Sequence, residues 1–172
     1  MEITFRLAAE ADLPWLMDAY RKAIEYQQSV SRVYWLQPTS EEIAEMIEMG
    51  KIWIISQYTN DIASFVLLNE DHAIWGDLEK GDSIYLHRIV TMIRGRLKIM
   101  PILIEWSLKQ ARQKGIQYLR MDTWTDNQPL IDYYRSFGFE LLGHRRAAQP
   151  ELLPAYYTAI ELALLELPVP QN

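Results

Sequence analysis

The chain has 172 residues, of which 49% are hydrophobic and 23% charged, so one ordinary globular domain can bury a core without a covalent or metal staple. It contains no Cys, which excludes disulfides, thiolate metal sites and Cys nucleophiles. With 17 Lys plus Arg against 23 Asp plus Glu, the formal charge is −6, which argues against nucleic acid as a partner.

Met1-Glu2-Ile3-Thr4-Phe5-Arg6 lacks the basic and apolar regions of a secretory signal. Apolar stretches such as Ile52-Trp53-Ile54-Ile55 are too short to span a bilayer. The expectation is a cytoplasmic protein with no membrane partner. Residues 1–167 are expected to form a single domain, and 168–172 a short C-terminal tail.

Ile3, Phe5 and Leu7 alternate with polar residues and predict a first strand. Asp12 before Leu13-Pro14 predicts a helix start, with the helix running to about Tyr26. Thr39-Ser40-Glu41-Glu42 is a capping box opening a second helix that Gly50 closes. Lys51–Tyr58 and Ile62–Leu68 read as a hairpin turning at Thr59-Asn60-Asp61. Asn69–Asp82 is mostly polar and reads as a loop, with Glu70-Asp71 and Asp77-Leu78-Glu79 as solvated acidic groups.

Ser83–Thr91 predicts a strand and Pro101–Lys114 a helix, with Leu103, Ile104, Ser107, Leu108 and Ala111 on one face. Ile116–Thr123 reads as a strand, Pro129–Ser136 as a short helix, and Phe139–Arg145 and Thr158–Glu166 as two last strands. Helices and strands in this order make a mixed sheet with helices on its faces.

No nucleophile elbow, Walker loop or His-Glu-x-x-His motif occurs, and His72, His87 and His144 are widely spaced, so no metal is expected. Two segments carry chemistry instead. After the Ser83–Thr91 strand, Arg94, Arg96 and Lys98 place three cations just before a helix N-terminus, an arrangement that suits an anion such as phosphate; a solvated basic loop is the plainer alternative. The second segment, Met121 to Phe139, reads as strand, Asn-containing turn, amphipathic helix, Gly stop and strand. Of its adjacent Tyr133 and Tyr134, at least one must face away from the core, and a Tyr hydroxyl beside a ligand can act as a general acid.

On these residues the chain resembles the GCN5-related N-acetyltransferase (GNAT) family. Phe5-Arg6-Leu7-Ala8-Ala9-Glu10-Ala11-Asp12-Leu13-Pro14 is similar to the family's opening strand and helix, and Leu86-His87-Arg88-Ile89-Val90-Thr91 to its fourth strand. Asn127, Leu130, Tyr133-Tyr134 and Gly138-Phe139 fit the spacing of its N-x-x-A-x-x-F-Y-x-x-x-G-F pattern, with Leu130 for the Ala and Tyr133 for the Phe.

The resemblance implies an α/β (α+β) fold, with a mixed, mostly antiparallel sheet of about six to seven strands flanked by about four helices. It implies transfer of an acetyl group from acetyl-CoA to a primary amine of a small molecule or peptide. Main-chain groups of Ile89, Val90 and Thr91 would pair with the pantetheine arm. The turn through Arg94, Gly95, Arg96, Lys98, Ile99 and Met100 would seat the pyrophosphate. Asn127 would face the pantetheine, and Tyr134 would protonate the leaving thiolate.

For the base, His87 is the first candidate, since its ordinary pKa suits work near neutrality; Asp122 and Glu70 rank behind it. The plainer reading of His87 is a pair with loop carboxylates. An N–H near Ile89 or Val90 would hold the oxyanion. Tyr20, Tyr26, Tyr34, Trp35, Tyr156 and Tyr157 supply aromatic surface for the acceptor, with Glu25 suited to a cation; the same aromatics suit core packing or a homodimer contact.

One departure bears on activity. The family's pyrophosphate turn reads Q/R-x-x-G-x-G/A. Anchored on Arg94-Gly95, its later glycine slots hold Leu97 and Ile99; anchored on Leu103–Trp106, they hold Lys98 and Met100. Side chains there narrow the seat, so the alternative expectation is a non-catalytic relative that binds a ligand or partner through a degenerate loop.

Overall fold

The structure is a computed structural model that describes residues 2–95 and 97–171. Its elements in chain order are β1 (Ile3–Leu7), α1 (Leu13–Val30), α2 (Ser40–Glu48), β2 (Ile52–Gln57), β3 (Asn60–Leu68), α3 (His72–Trp75), β4 (Ser83–Thr91), α4 (Ile99–Gln113), β5 (Tyr118–Trp124), α5 (Gln128–Arg135), β6 (Glu140–Arg145) and β7 (Leu162–Pro168). The strands form one sheet in the order β1-β2-β3-β4-β5-β7-β6. Pairing is antiparallel at β1–β2, β2–β3, β5–β7 and β6–β7, and parallel at β4–β5. This is the mixed, mostly antiparallel sheet expected from the sequence.

The chain divides into two compact units, Met1–Leu67 with Arg88–Ile99, and Leu68–His87 with Met100–Asn172. In the first unit, Leu16, Ala19, Tyr20, Ala23 and Ile24 form the apolar stripe of α1, and Ile43 anchors α2. Ile52, Ile54 and Ile55 of β2 and Phe65 of β3 are fully buried. The capping box on α2 is complete: Thr39 Oγ1 accepts from Glu42 N, and Glu42 Oε2 from Thr39 N. Asp12 stands at the cap of α1 without capping it. Its carboxylate takes two hydrogen bonds from Arg6, at 2.6 and 2.9 Å, and one from Ala9 N.

In the second unit, α4 connects the parallel strands β4 and β5, which antiparallel hairpins cannot do. Of the face read from the sequence, Leu103, Ile104, Ser107 and Ala111 are buried and Leu108 is half-buried. β7 lies between β5 and β6, and its Leu162, Ala163, Leu164 and Leu165 are at most 1% exposed.

Several boundaries depart from expectation: α1 runs on to Val30, and β7 starts at Leu162 rather than Thr158. Asn69–Asp82 holds α3 and a 3-10 turn, because Ile74 and Trp75 find burial there. β3 starts at Asn60, so the hairpin turn is tighter than Thr59–Asp61. The chain end is tied down past Leu167. Pro168 pairs with Tyr118, and Val169 is buried and donates its N–H to Gln117 O.

Candidate active site

The strand period of two residues places Tyr85 and His87 on one face of β4, and Arg120 and Asp122 on one face of β5. The parallel ladder pairs Ser83–Tyr85 with Tyr118–Arg120 and goes no further. The next pair on that face is His87 and Asp122. Their side chains approach each other, with His87 Nδ1 3.5 Å from Asp122 Oδ1.

The other ring nitrogen of His87, Nε2, lies 3.0 Å from Asp71 Oδ2. Asp71 is the N-cap of α3, and its Oδ1 accepts from Ile74 N at 3.1 Å. Its own N–H donates to Glu79 Oε2 at 3.0 Å, and Glu79 Oε1 accepts from Gly81 N at 2.7 Å. Glu79 also takes a hydrogen bond from the Tyr85 hydroxyl. Burial opposes its charge, yet these hydrogen bonds hold the carboxyl below its usual range. Arg120 closes the network, donating to Tyr85 Oη at 3.1 Å, Leu78 O at 2.8 Å and Glu166 Oε2 at 2.7 Å.

The three central side chains are secluded, with 16% of His87 and 6% each of Asp71 and Asp122 exposed. Asp122 Oδ1 is buried and has no hydrogen-bond partner among the described residues. Burial pushes the Asp122 carboxyl up to about 6; His87 works against that rise and Asp71 adds to it. One donor atom from each of the three residues lies within 4.8 Å of the others. The two carboxylates face different ring nitrogens, however, so the lone pair of either nitrogen points at one carboxylate and away from the other. The geometry serves proton transfer better than ion ligation.

Tyr134 belongs to the same unit. On α5, Ile131 faces the core, Tyr133 is 43% exposed and Tyr134 is half-buried. Burial raises the Tyr134 phenol above its ordinary pKa, and Tyr133 and the Asp122 carboxylate add to the rise. The phenol therefore keeps its proton at neutral pH. Asn127 is the N-cap of α5, its Oδ1 accepting from Leu130 N at 3.3 Å. An open depression of ≈ 510 Å³ lined by Arg135, Gly138, Phe139, Glu140 and Leu141 contains none of these groups.

Ile89, Val90 and Thr91 lie in the first unit, after Arg88, whose φ of 47° is unusual for a non-glycine residue inside a strand. Arg94, Gly95 and Lys98 are exposed in the turn before α4, with the Arg94 guanidinium 3.6 Å from the Tyr26 ring centre. Arg96 falls outside the described residues. α4 begins at Ile99, two residues earlier than the spacing predicts, and Ile99 and Met100 are buried in its first turn.

Several expectations need correction. Glu70 is 77% exposed on its side chain and lies 3.7 Å from His72 Nε2. Asp71 and Glu79 are buried hydrogen-bonding residues rather than solvated loop acids. Tyr20 is fully buried against Trp35, so it offers no acceptor surface. Glu25 is exposed and paired with Arg21. Tyr156 and Tyr157 need no correction: they are half-buried, stacked at 4.8 Å with Tyr156 edge-on to Trp124, which fits both readings of them.

Residues 14–139 match the Acetyltransferase (GNAT) family. The chain belongs to that family. It is 26% identical over 113 residues to the uncharacterized N-acetyltransferase YesJ of Bacillus subtilis (strain 168), a match spanning 59% of each protein. Its fold is similar to a GNAT-family acetyltransferase of Listeria monocytogenes 4b F2365, with TM-score 0.75 and 18% identity over 98% of this chain and 95% of that one. It is also similar to yncA of Salmonella typhimurium, solved with its cofactor acetyl-CoA, with TM-score 0.65 and 12% identity over 100% and 96% of the two chains. Among the described residues, no helix is long and apolar enough to cross a membrane.

Proposed function

We propose that this protein transfers an acetyl group from acetyl-CoA to a primary amine of a small molecule or peptide. The observation that carries the reading is the buried Asp71–His87–Asp122 group with Tyr134 in its electrostatic reach, on the strand and helix where the family resemblance puts the chemistry. Acetyl-CoA supplies an acyl group activated as a thioester. His87 takes a proton from the acceptor nitrogen, freeing its electron pair to attack the thioester carbon. A main-chain N–H near Ile89 or Val90 holds the negative charge that develops on the carbonyl oxygen. As the C–S bond breaks, the Tyr134 hydroxyl gives its proton to sulfur.

The backbone of Ile89, Val90 and Thr91 follows the point where the β4–β5 ladder ends, and we assign it the pantetheine arm. Asn127 spends its side-chain oxygen on the α5 cap, so we assign it the shape of the turn on the pantetheine side. Arg94, Gly95 and Lys98 contribute charge and a bend for the pyrophosphate. A cytoplasmic setting goes with this reading, since acetyl-CoA is supplied there.

A second reading, a non-catalytic relative, is favoured by the buried Ile99 and Met100 in the first turn of α4, where the family has glycine slots. Thiol release from acetyl-CoA, screened over polyamines, amino acids and aminoglycosides, separates the two. Acceptor-dependent release supports acetyl transfer; bound acetyl-CoA with no release from any acceptor supports the second reading.

A further inference from the structure

We propose that Asp71 is the positioning residue for His87, and that His87 and Asp122 hold one proton between them and act together as the base. The proposal rests on the acetyl-transfer reading for its purpose and on the geometry for its content.

Asp71 cannot turn freely. One carboxylate oxygen is used by Ile74 N and the other by His87 Nε2, while Glu79 holds its main chain. An ionised carboxylate accepts hydrogen bonds only, so His87 meets it with Nε2–H. In the neutral ring that leaves the Nδ1 lone pair facing Asp122 Oδ1 at 3.5 Å. Two acceptors buried face to face repel unless a proton lies between them. Asp122 Oδ1 has no hydrogen-bond partner among the described residues to relieve that repulsion. One proton therefore belongs to the pair, on nitrogen or on oxygen, and both sites titrate together.

The balance follows. Once the pair has released its shared proton to solvent, it can take another. The acceptor's N–H bond breaks, a water relays that proton to the pair, where an Nδ1–H bond forms, the nitrogen electron pair makes the new C–N bond, and the carbonyl π pair moves onto oxygen. Nothing is oxidised or reduced. Among the described residues of this unit, Asp71 ahead of α3 and Tyr134 on α5 face Asp122. Glu79, Tyr85 and Tyr133 stand one layer further out.

The test is the histidine 15N spectrum of the labelled protein across pH, with the His87 signals assigned by their loss in His87→Gln. The neutral wild-type ring is expected as the Nε2–H tautomer, and a wild-type Nδ1–H tautomer overturns the proposal by itself. Asp122→Asn removes a neighbouring negative charge and should lower the His87 midpoint by about one pH unit or more. Asp71→Asn has one carbonyl oxygen; the α3 cap takes it, and the amide NH2 then donates to Nε2, switching the ring to Nδ1–H. An unchanged midpoint in Asp122→Asn, or an unchanged tautomer in Asp71→Asn, refutes it. The spectrum needs neither acetyl-CoA nor acceptor, so this failure is distinct from a failed thiol-release screen.

Discussion

Tyr134→Phe removes one hydroxyl and leaves the ring that packs against Phe139. Turnover should fall at least about tenfold, the low end of a general-acid contribution, while acetyl-CoA affinity changes little. Steady-state kinetics with calorimetric binding checks this; unchanged turnover removes Tyr134 from the acid role. Asp122 makes a stability prediction. Burial pushes its folded carboxyl up to about 6 from an ordinary 3.8, so the folded protein holds that proton more tightly than the unfolded chain does. The group favours folding at low pH, and the advantage disappears as pH rises through about 6. Asp122→Asn should therefore gain stability relative to wild type between pH 4 and pH 7.5, read by urea melts; a pH-independent difference contradicts it. His87 and Tyr134 were legible as candidates because residue type and spacing announce them. Asp71 was not, because a carboxylate in a polar stretch reads as solvated until the fold buries it.

The elements followed from local rules wherever periodicity and caps agreed, as in α2 with Thr39 and Glu42, or the buried stripe of α4. Local rules failed at α3, a single turn of four residues, too short for any helical period to register. Its place is set by tertiary contacts. Ala148 N donates to Ile74 O and Gln149 N to Ala73 O, and Gly76 lets Ala148 approach. An added Cβ at Gly76 would stand 2.6 Å from Ala148 Cβ, at a φ of +51°. Gly81 has a φ of +71° with nothing within 4 Å of such a Cβ. Gly81→Ala should cost about 1–2 kcal/mol from backbone strain alone, and Gly76→Ala more, because strain and overlap add. Equal losses in denaturant melts would contradict the docking of the 148 segment as the cause.

For the whole molecule, the alternation of strands and helices and the spacing from Asn127 to Phe139 carried the fold class. The pairing of His87 with Asp122 could not be read, because it depends on the register of two strands separated by α4. The turn through Gly95 decides whether this architecture works as an acetyltransferase, since Ile99 and Met100 occupy the first turn of α4 with buried side chains. Thermal unfolding with and without acetyl-CoA tests that most directly. A ligand at ~100 times its dissociation constant adds about 2.7 kcal/mol to the folded state, so a clear upward shift of the midpoint at millimolar acetyl-CoA is expected. A midpoint that does not move would contradict acetyl-CoA binding, and acetyl transfer with it.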